Sequence, residues 1–209
     1  MAIQKEQVIQ VAMELLDELG IDGMTMRKLA QALDIKAASL YWHFANKQAL
    51  MDGIADLLME NVARKVPRKR AWDEQLRQIA VEIRRAMLKH RDGARVFAGS
   101  NGVTDNVMRV GNALIAALAD AGADSRLSAW GAFSVLYYVL GFVMEEQALG
   151  PENGIDMKAR QAAFVALAST GYPHAHDAAD DIFNRNFDQR FALGLDLLIR
   201  GFKSKVAEI

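Results

Sequence analysis

The chain has no cysteine among its 209 residues. That rules out a disulfide framework and any thiolate metal site, and it fits a reducing compartment. Proline is scarce, at three residues. Helices are therefore rarely broken, and the abundant Ala, Leu, Met, Gln, Arg and Lys favour helix over sheet. A dominant charge is missing too: 25 Lys+Arg face 26 Asp+Glu, for a formal net charge of −1. A protein coated in positive charge is thus excluded, and any nucleic-acid contact must come from a local patch. Residues 1–20 lack the continuous apolar run of a signal peptide, so a cytoplasmic location is expected. No nucleophile–base pair, phosphate-cradling glycine loop or metal motif stands out, which argues against an enzyme.

What is present is helical periodicity. Val8, Ala12, Leu15, Leu16 and Leu19 mark one apolar helix face, and Gly20 ends it. Thr25 is placed to cap a short helix over 26–33 that buries Leu29 and Leu33. Asp34 occupies the following turn, where its short polar side chain tolerates a left-handed backbone, and Ile35 plugs the core beneath. A second short helix is expected over 37–44, with Leu40 and Phe44 inward. Asn46 then caps a longer helix over 47–64, with Leu50, Ile54, Leu57 and Leu58 as its stripe. The segment RKVPRKRAW (64–72) reads as a hinge; its charge is either a solvated linker or a phosphate-binding patch.

Beyond it the body reads as all-helical. Helices are expected over 72–89, to Ala98, 105–121 with Thr104 as cap, 125–148, near 157–170, and about 182–205. Residues 170–181 read as a mobile loop. Residues 127–144 contain no charge. That length sits at the lower edge for a membrane span, but a buried or dimer-forming helix has the same composition, and no membrane is expected.

Two short helices joined by a tight turn and buttressed by an amphipathic one describe a helix-turn-helix, whose second helix enters the major groove N-terminus first. Here that end carries Lys36, Ala37, Ala38 and Ser39. The small side chains allow close approach, and the alanine methyls can meet a thymine methyl. Tyr41, Trp42 and His43 are three consecutive rings, so they point in several directions and at least one must face outward. Each has an N–H or O–H that can donate to phosphate. Lys47 lies beside the free N–H groups of a helix start, and Arg27 and Lys28 open the preceding helix. Either ring taken alone is as easily a core residue; the constellation is what points to DNA.

The stretch GIDGMTMRKLAQALDIKAASLYWHFANKQALMDGIA resembles the DNA-binding head of the TetR family of repressors. RRAMLKHRDGARVFAG and LDLLIRGF are similar to segments of the bodies in its tetracycline-binding branch. The resemblance implies an all-α homodimer with no enzymatic activity. Its helix-turn-helix head would span 1–46, a connecting helix 47–66, and a ligand-binding and dimerisation body 67–209. It implies repression from a palindromic double-stranded operator, released by a small-molecule effector, with a four-helix dimer bundle built from 125–148 and the last helix. Thr25, Arg27, Ala37, Ala38, Ser39, Tyr41, Trp42, His43 and Lys47 fall where the family contacts DNA. Ala37 stands where that branch has glutamine and Ala38 where it has proline. Losing a bidentate reader of adenine implies a different operator.

The ligand positions depart further. Phe97 stands where the branch has a metal-binding histidine, Tyr137 where it has a second, and Ile79, Ile83 and Leu114 where it has polar drug contacts. Glu145 keeps an acidic position but lacks a histidine partner. Mg²⁺ wants oxygen ligands and retained water. No metal, no cofactor and no tetracycline chelate are therefore expected. Ile79, Ile83, Phe97, Leu114, Trp130, Phe133, Tyr137 and Glu145 are instead expected to line an apolar, aromatic cavity for a largely apolar effector. The same rings equally describe a filled core. Rival readings are a helical enzyme and a DNA-binding dimer without a ligand. His174, His176, Asp177, Asp180 and Asp181 show no regular ligand spacing and are read as solvated or structural.

Overall fold

The computed structural model describes residues 4–67, 69–150 and 153–208. Among these every regular element is a helix: α1 (Lys5–Gly23), α2 (Met26–Ala32), α3 (Ala37–Leu40), α4 (Lys47–Leu58), α5 (Trp72–Leu88), α6 (Gly93–Ala98), α7 (Asp105–Asp120), α8 (Ser125–Ala148), α9 (Met157–Ala168), α10 (Pro173–Asp177), α11 (Ala179–Phe183) and α12 (Phe187–Ala207). The all-α reading is therefore correct.

In the head, α1 packs on α2 and α4, and α2 on α3. Val8, Leu16, Leu29, Leu40, Phe44, Leu50 and Ile54 meet in its core. Gly20 adopts φ +71°, breaking α1 where a side chain would strain. An added Cβ there would also meet the Asp92 carboxylate at 2.9 Å.

The body is layered around α5, which packs against α6, α7 and α8; α12 closes on α8. The apolar spacing of α5 turns Leu76, Ile79, Ala80, Ile83 and Met87 fully inward, with Ala86 partly buried beside them. Helix α8 is long and apolar enough to cross a membrane by length and composition. Its inner face, Ser128, Gly131, Ala132, Val135, Val139 and Val143, is buried against the body.

Several boundaries differ from the sequence reading. The second head helix ends at Leu40 rather than 44, and the chain tightens into a turn in which the His43 and Phe44 N–H groups both donate to the Leu40 carbonyl. Helix α4 stops at Leu58 rather than 64. A run of tight turns follows, with Ala63 at φ +54° and its N–H donating to the Glu82 carboxylate at 2.7 Å. The Arg109 guanidinium donates to the carbonyls of Met59, Glu60 and Val62, which supplies the free carbonyls of that helix end with partners. Thr104 has the extended backbone of a cap, but its hydroxyl is buried without a partner. Asp56 of α4 has taken the role by accepting from the Asn106 N–H at 2.9 Å. The expected loop over 170–181 instead holds α10, opened by Pro173, and most of α11; Phe183 stacks edge-on against Phe164 of α9 at 5.3 Å. Asn186 caps α12, so the last helix begins later than the spacing suggested.

Candidate nucleic-acid interface and effector-binding body

Local chemistry builds the helix-turn-helix. The Thr25 hydroxyl accepts from the Lys28 N–H at 3.2 Å, as a helix cap does. Asp34 takes φ +51° in the turn, a conformation that Asp adopts more readily than most residues. The Asn46 side chain caps α4 by accepting from the Ala49 N–H at 2.8 Å. Between these fixed points Leu40 and Phe44 are buried, anchoring α3 from below. Its other side is open. Ala37 and Ala38 are exposed and Ser39 is partly so. Tyr41 is 54% and Trp42 89% exposed, while His43 is half-buried. Thr25, Arg27, Lys28 and Lys47 are exposed on the adjoining helix starts. The Lys47 ammonium donates to the Ile21 carbonyl at 3.4 Å, which steadies it beside α1. All ten DNA-contact residues picked from the sequence thus lie in one stretch spanning the starts of α2, α3 and α4.

Two arginines of the basic hinge are occupied with their own protein. Arg64 donates to the Glu60 carbonyl and Arg70 to Gln78, which supports the linker reading for those two residues. Arg68 lies outside the described residues.

Head and body meet through polar contacts that the sequence reading missed. The Asp17 carboxylate accepts from the Arg91 N–H at 2.9 Å and pairs with His90 at 2.9 Å. The Ile21 N–H donates to Asp92, and Arg95 bridges Asp22 and Asp92. The Arg95 guanidinium, by hydrogen bond first and charge second, holds the Asp22 carboxyl below its ordinary range. On α4, Asp52 accepts from the Asn101 N–H and from Gln48, both at 3.0 Å. Burial pushes the Asp52 carboxyl up. Hydrogen bonds, led by the Asn101 N–H and then the Gln48 side chain, outweigh it and hold the group below its usual range. Asp56 binds both the N–H and the side-chain amide of Asn106. Helix α4 is therefore clasped to the loop between α6 and α7 through Asp52 and to the first turn of α7 through Asp56. Nothing in the local sequence pattern signals these pairs, since their partners are about 50 residues away.

The expected ligand-binding set does not converge on one cavity within the chain. Ile79, Ile83 and Leu114 are sealed in the core, and Phe97 is partly buried against it. Trp130 and Tyr137 are 67% and 64% exposed on the outer face of α8, with Phe133 and Glu145 also exposed there. The reason is register: 130, 133 and 137 lie on the side of α8 opposite 135, 139 and 143. The Phe97 ring and the Tyr137 phenol do not fit a hydrated magnesium chelate. Among the described residues, no three His, Asp or Glu side chains are grouped to hold a metal ion; His176 pairs loosely with Asp177 at 3.7 Å.

The inner side of α8 carries an aromatic cluster instead. Tyr138 stacks on Phe191 at 5.4 Å and donates to its carbonyl at 2.8 Å, while Phe142 meets Phe187 and Phe191 edge-on. Burial pushes the Tyr138 phenol up.

A three-helix head with α2 and the exposed α3 joined by a tight turn, continued through α4 into a helical body, has the architecture of a helix-turn-helix transcriptional regulator. Residues 8–54 match the family profile of bacterial regulatory proteins, tetR family, and residues 66–206 match the tetracyclin repressor-like C-terminal domain. The chain belongs to the TetR family of DNA-binding, ligand-binding transcriptional repressors. It is similar to the tetracycline repressor protein class A from transposon 1721 of Escherichia coli, with 39% identity over 97% of this chain and 92% of that protein. Its structure is similar to Streptomyces coelicolor ActR in complex with (S)-DNPA, at a TM-score of 0.87 and 27% identity, covering 99% of this chain and 100% of that one. It is also similar to BioQ bound to its double-stranded DNA operator, at a TM-score of 0.72 and 31% identity over 96% and 98% of the two chains.

Proposed function

We propose that this chain is a homodimeric repressor that works in the cytoplasm, binds a palindromic operator, and is released by a largely apolar or aromatic effector. The observation that carries the operator reading is the contrast across α3. Leu40 and Phe44 are buried, while Tyr41 and Trp42 project into solvent at the end of the helix that would enter the groove. Thr25, Arg27, Lys28, Ala37, Ala38, Ser39, Tyr41, Trp42, His43 and Lys47 are the proposed contacts. Ala37, Ala38 and Ser39 would face base edges; the rings and the cations would hold the backbone. Residues 1–46, 47–66 and 67–209 are the proposed head, connector and body.

The dimer reading rests on two unpartnered helix faces. On α8, Trp130, Phe133, Tyr137 and Met144 are exposed; on α12, Leu193 and Leu197 are. Trp130, Phe133 and Tyr137 step by three and four residues and Leu193 and Leu197 by four, as a bundle seam does. Gly141 and Gly201 have open space where a Cβ would stand, which lets a second pair of helices approach closely. Two such faces related by a two-fold axis form a four-helix bundle. Because Ile79, Ile83 and Leu114 are sealed, the effector would meet the ring-bearing part of this surface rather than those residues, and the second copy would supply its other wall. A ligand shifts the heads only by binding the operator-free arrangement better, with a coupling of about 1–3 kcal/mol. The Asp52 and Asp56 clasps are the route from the body to α4.

Footprinting on the DNA beside the protein's own gene tests this reading. A protected palindrome supports it. Tyr41→Ala and Lys47→Ala should each weaken binding to the protected site; unchanged affinity in both would show the contacts to be misassigned. Leu197→Glu should yield monomers in light scattering, and a dimer that survives that change would count against the bundle.

A further inference from the structure

A groove of about 420 Å³ runs between α5 and α12. Val81, Leu88, Phe191 and Leu195 give it an apolar wall, and Arg85 and the Arg77–Asp196 ion pair stand at its rim. Arg84 sits in its floor, buried, with its guanidinium 4.8 Å from the Phe191 ring centre and 5.6 Å from that of Phe142. Two of its nitrogens grip Glu146 in a fork, at 2.9 and 2.8 Å. The third, Nη1, donates to Asp188 at 2.7 Å.

The two carboxylates differ. The Glu146 side chain is 14% exposed, whereas that of Asp188 is 89% exposed. Glu146 therefore neutralises the buried charge, while Asp188 holds the outward-facing donor from solvent. We propose that this groove binds an amphipathic carboxylic acid, whose carboxylate replaces Asp188 on Arg84 and whose apolar body lies along Phe191 and Leu195.

Three features support the exchange. Releasing Asp188 returns a carboxylate that is already 89% exposed to water, and the Glu146 fork still neutralises the buried Arg84 charge. The incoming carboxylate keeps a planar, charge-assisted contact with a guanidinium already held by its rings and by Glu146. The volume lies within the range of small-molecule sites.

The groove also stays open in the proposed dimer. Asp188, Ala192 and Leu195 share one side of α12, while Leu193, Leu197 and Gly201 lie on another. The exposed ring face of α8 is likewise separate from it: α8 reaches the groove through Glu146, whose turn points inward. This site is thus distinct from the effector surface proposed above, and its acid binding does not depend on the operator reading.

Isothermal titration of the full chain with octanoate and with 4-phenylbutyrate, each against its primary amide, tests the assignment. The acids should bind, with the amides about tenfold weaker or worse, because the amide cannot replace a carboxylate on Arg84. Asp188→Asn removes the competing charge and should tighten acid binding about threefold. Arg84→Lys keeps the charge but loses the fork, and should weaken it about tenfold. Should Arg84→Lys misfold by circular dichroism, the Asp188→Asn arm decides. Failure of both acids to bind, equal binding of acid and amide, or an acid affinity unchanged in Asp188→Asn overturns the proposal. A gel shift on the same acid-free preparations separates the two readings: its loss refutes operator binding and leaves the acid result standing.

Discussion

Leu40 and Trp42 are two residues apart, yet the structure gives their replacement opposite consequences. Leu40 is fully buried among the head helices. Truncating such a leucine to alanine costs about 2–5 kcal/mol. A core as small as that of the head supplies only about 3–5 kcal/mol. Leu40→Ala should therefore unfold much of the head. Trp42, at 89% exposure, has almost no packing to lose. Trp42→Ala should change stability by less than about 0.5 kcal/mol. If the ring is a main contact to the operator, the same change should cost about 2 kcal/mol of binding, roughly thirtyfold in affinity. Urea unfolding followed by circular dichroism gives the first quantity, and fluorescence anisotropy with a labelled operator gives the second. Leu40→Ala should fail both measurements, and Trp42→Ala only the second. A Trp42→Ala protein that loses more than about 2 kcal/mol of stability, or binds operator like its parent, would refute the reasoning.

Other perturbations follow from the same geometry. Removing the Lys47 charge with Lys47→Ala should lower the slope of log affinity against log salt by about 0.9, if it neutralises one phosphate; anisotropy over a salt series reads this, and an unaltered slope removes Lys47 from the interface. Ala63 sits at φ +54°, where a Cβ is strained, so Ala63→Gly should raise the melting temperature by about 2 °C, and calorimetry showing a fall would contradict the strain. The folded-state pKa of Asp52 lies below its ordinary value, so its contribution to stability is full above about pH 4 and is lost as pH falls below that. Chemical denaturation between pH 6 and pH 3 should therefore show a shallower loss for Asp52→Asn than for the parent; parallel curves would mean that the clasp carries no weight.

The head was almost wholly legible because its signals are local. Thr25 and Asn46 cap their helices as their positions suggest, Asp34 takes the left-handed turn, and Leu40 and Phe44 point inward four residues apart. The body helices followed from apolar spacing, and their ends were missed where a distant residue decides them. Helix α4 stops early because Arg109 and Glu82 supply partners for the turn after it. Thr104 loses its cap role to Asp56, nearly 50 residues earlier. The ligand-lining set is divided between core and surface for a different reason. Composition marks Trp130, Phe133 and Tyr137 as apolar, but only the packing of Val135 and Val139 fixes which side of α8 turns inward. Ion-pair networks such as Arg84 with Glu146 and Asp188 leave no trace in spacing, because the three residues come from three separate helices.

In the proposed dimer, two copies hold their α3 helices at one distance matched to the duplex. A sedimentation series with duplexes carrying two copies of the footprinted half-site, separated by increasing numbers of base pairs, tests it most directly. Two chains per duplex are expected, with tightest binding when the half-site centres are about 10–10.5 base pairs apart, or a multiple of that. One chain per duplex, or an affinity indifferent to the separation, would contradict it.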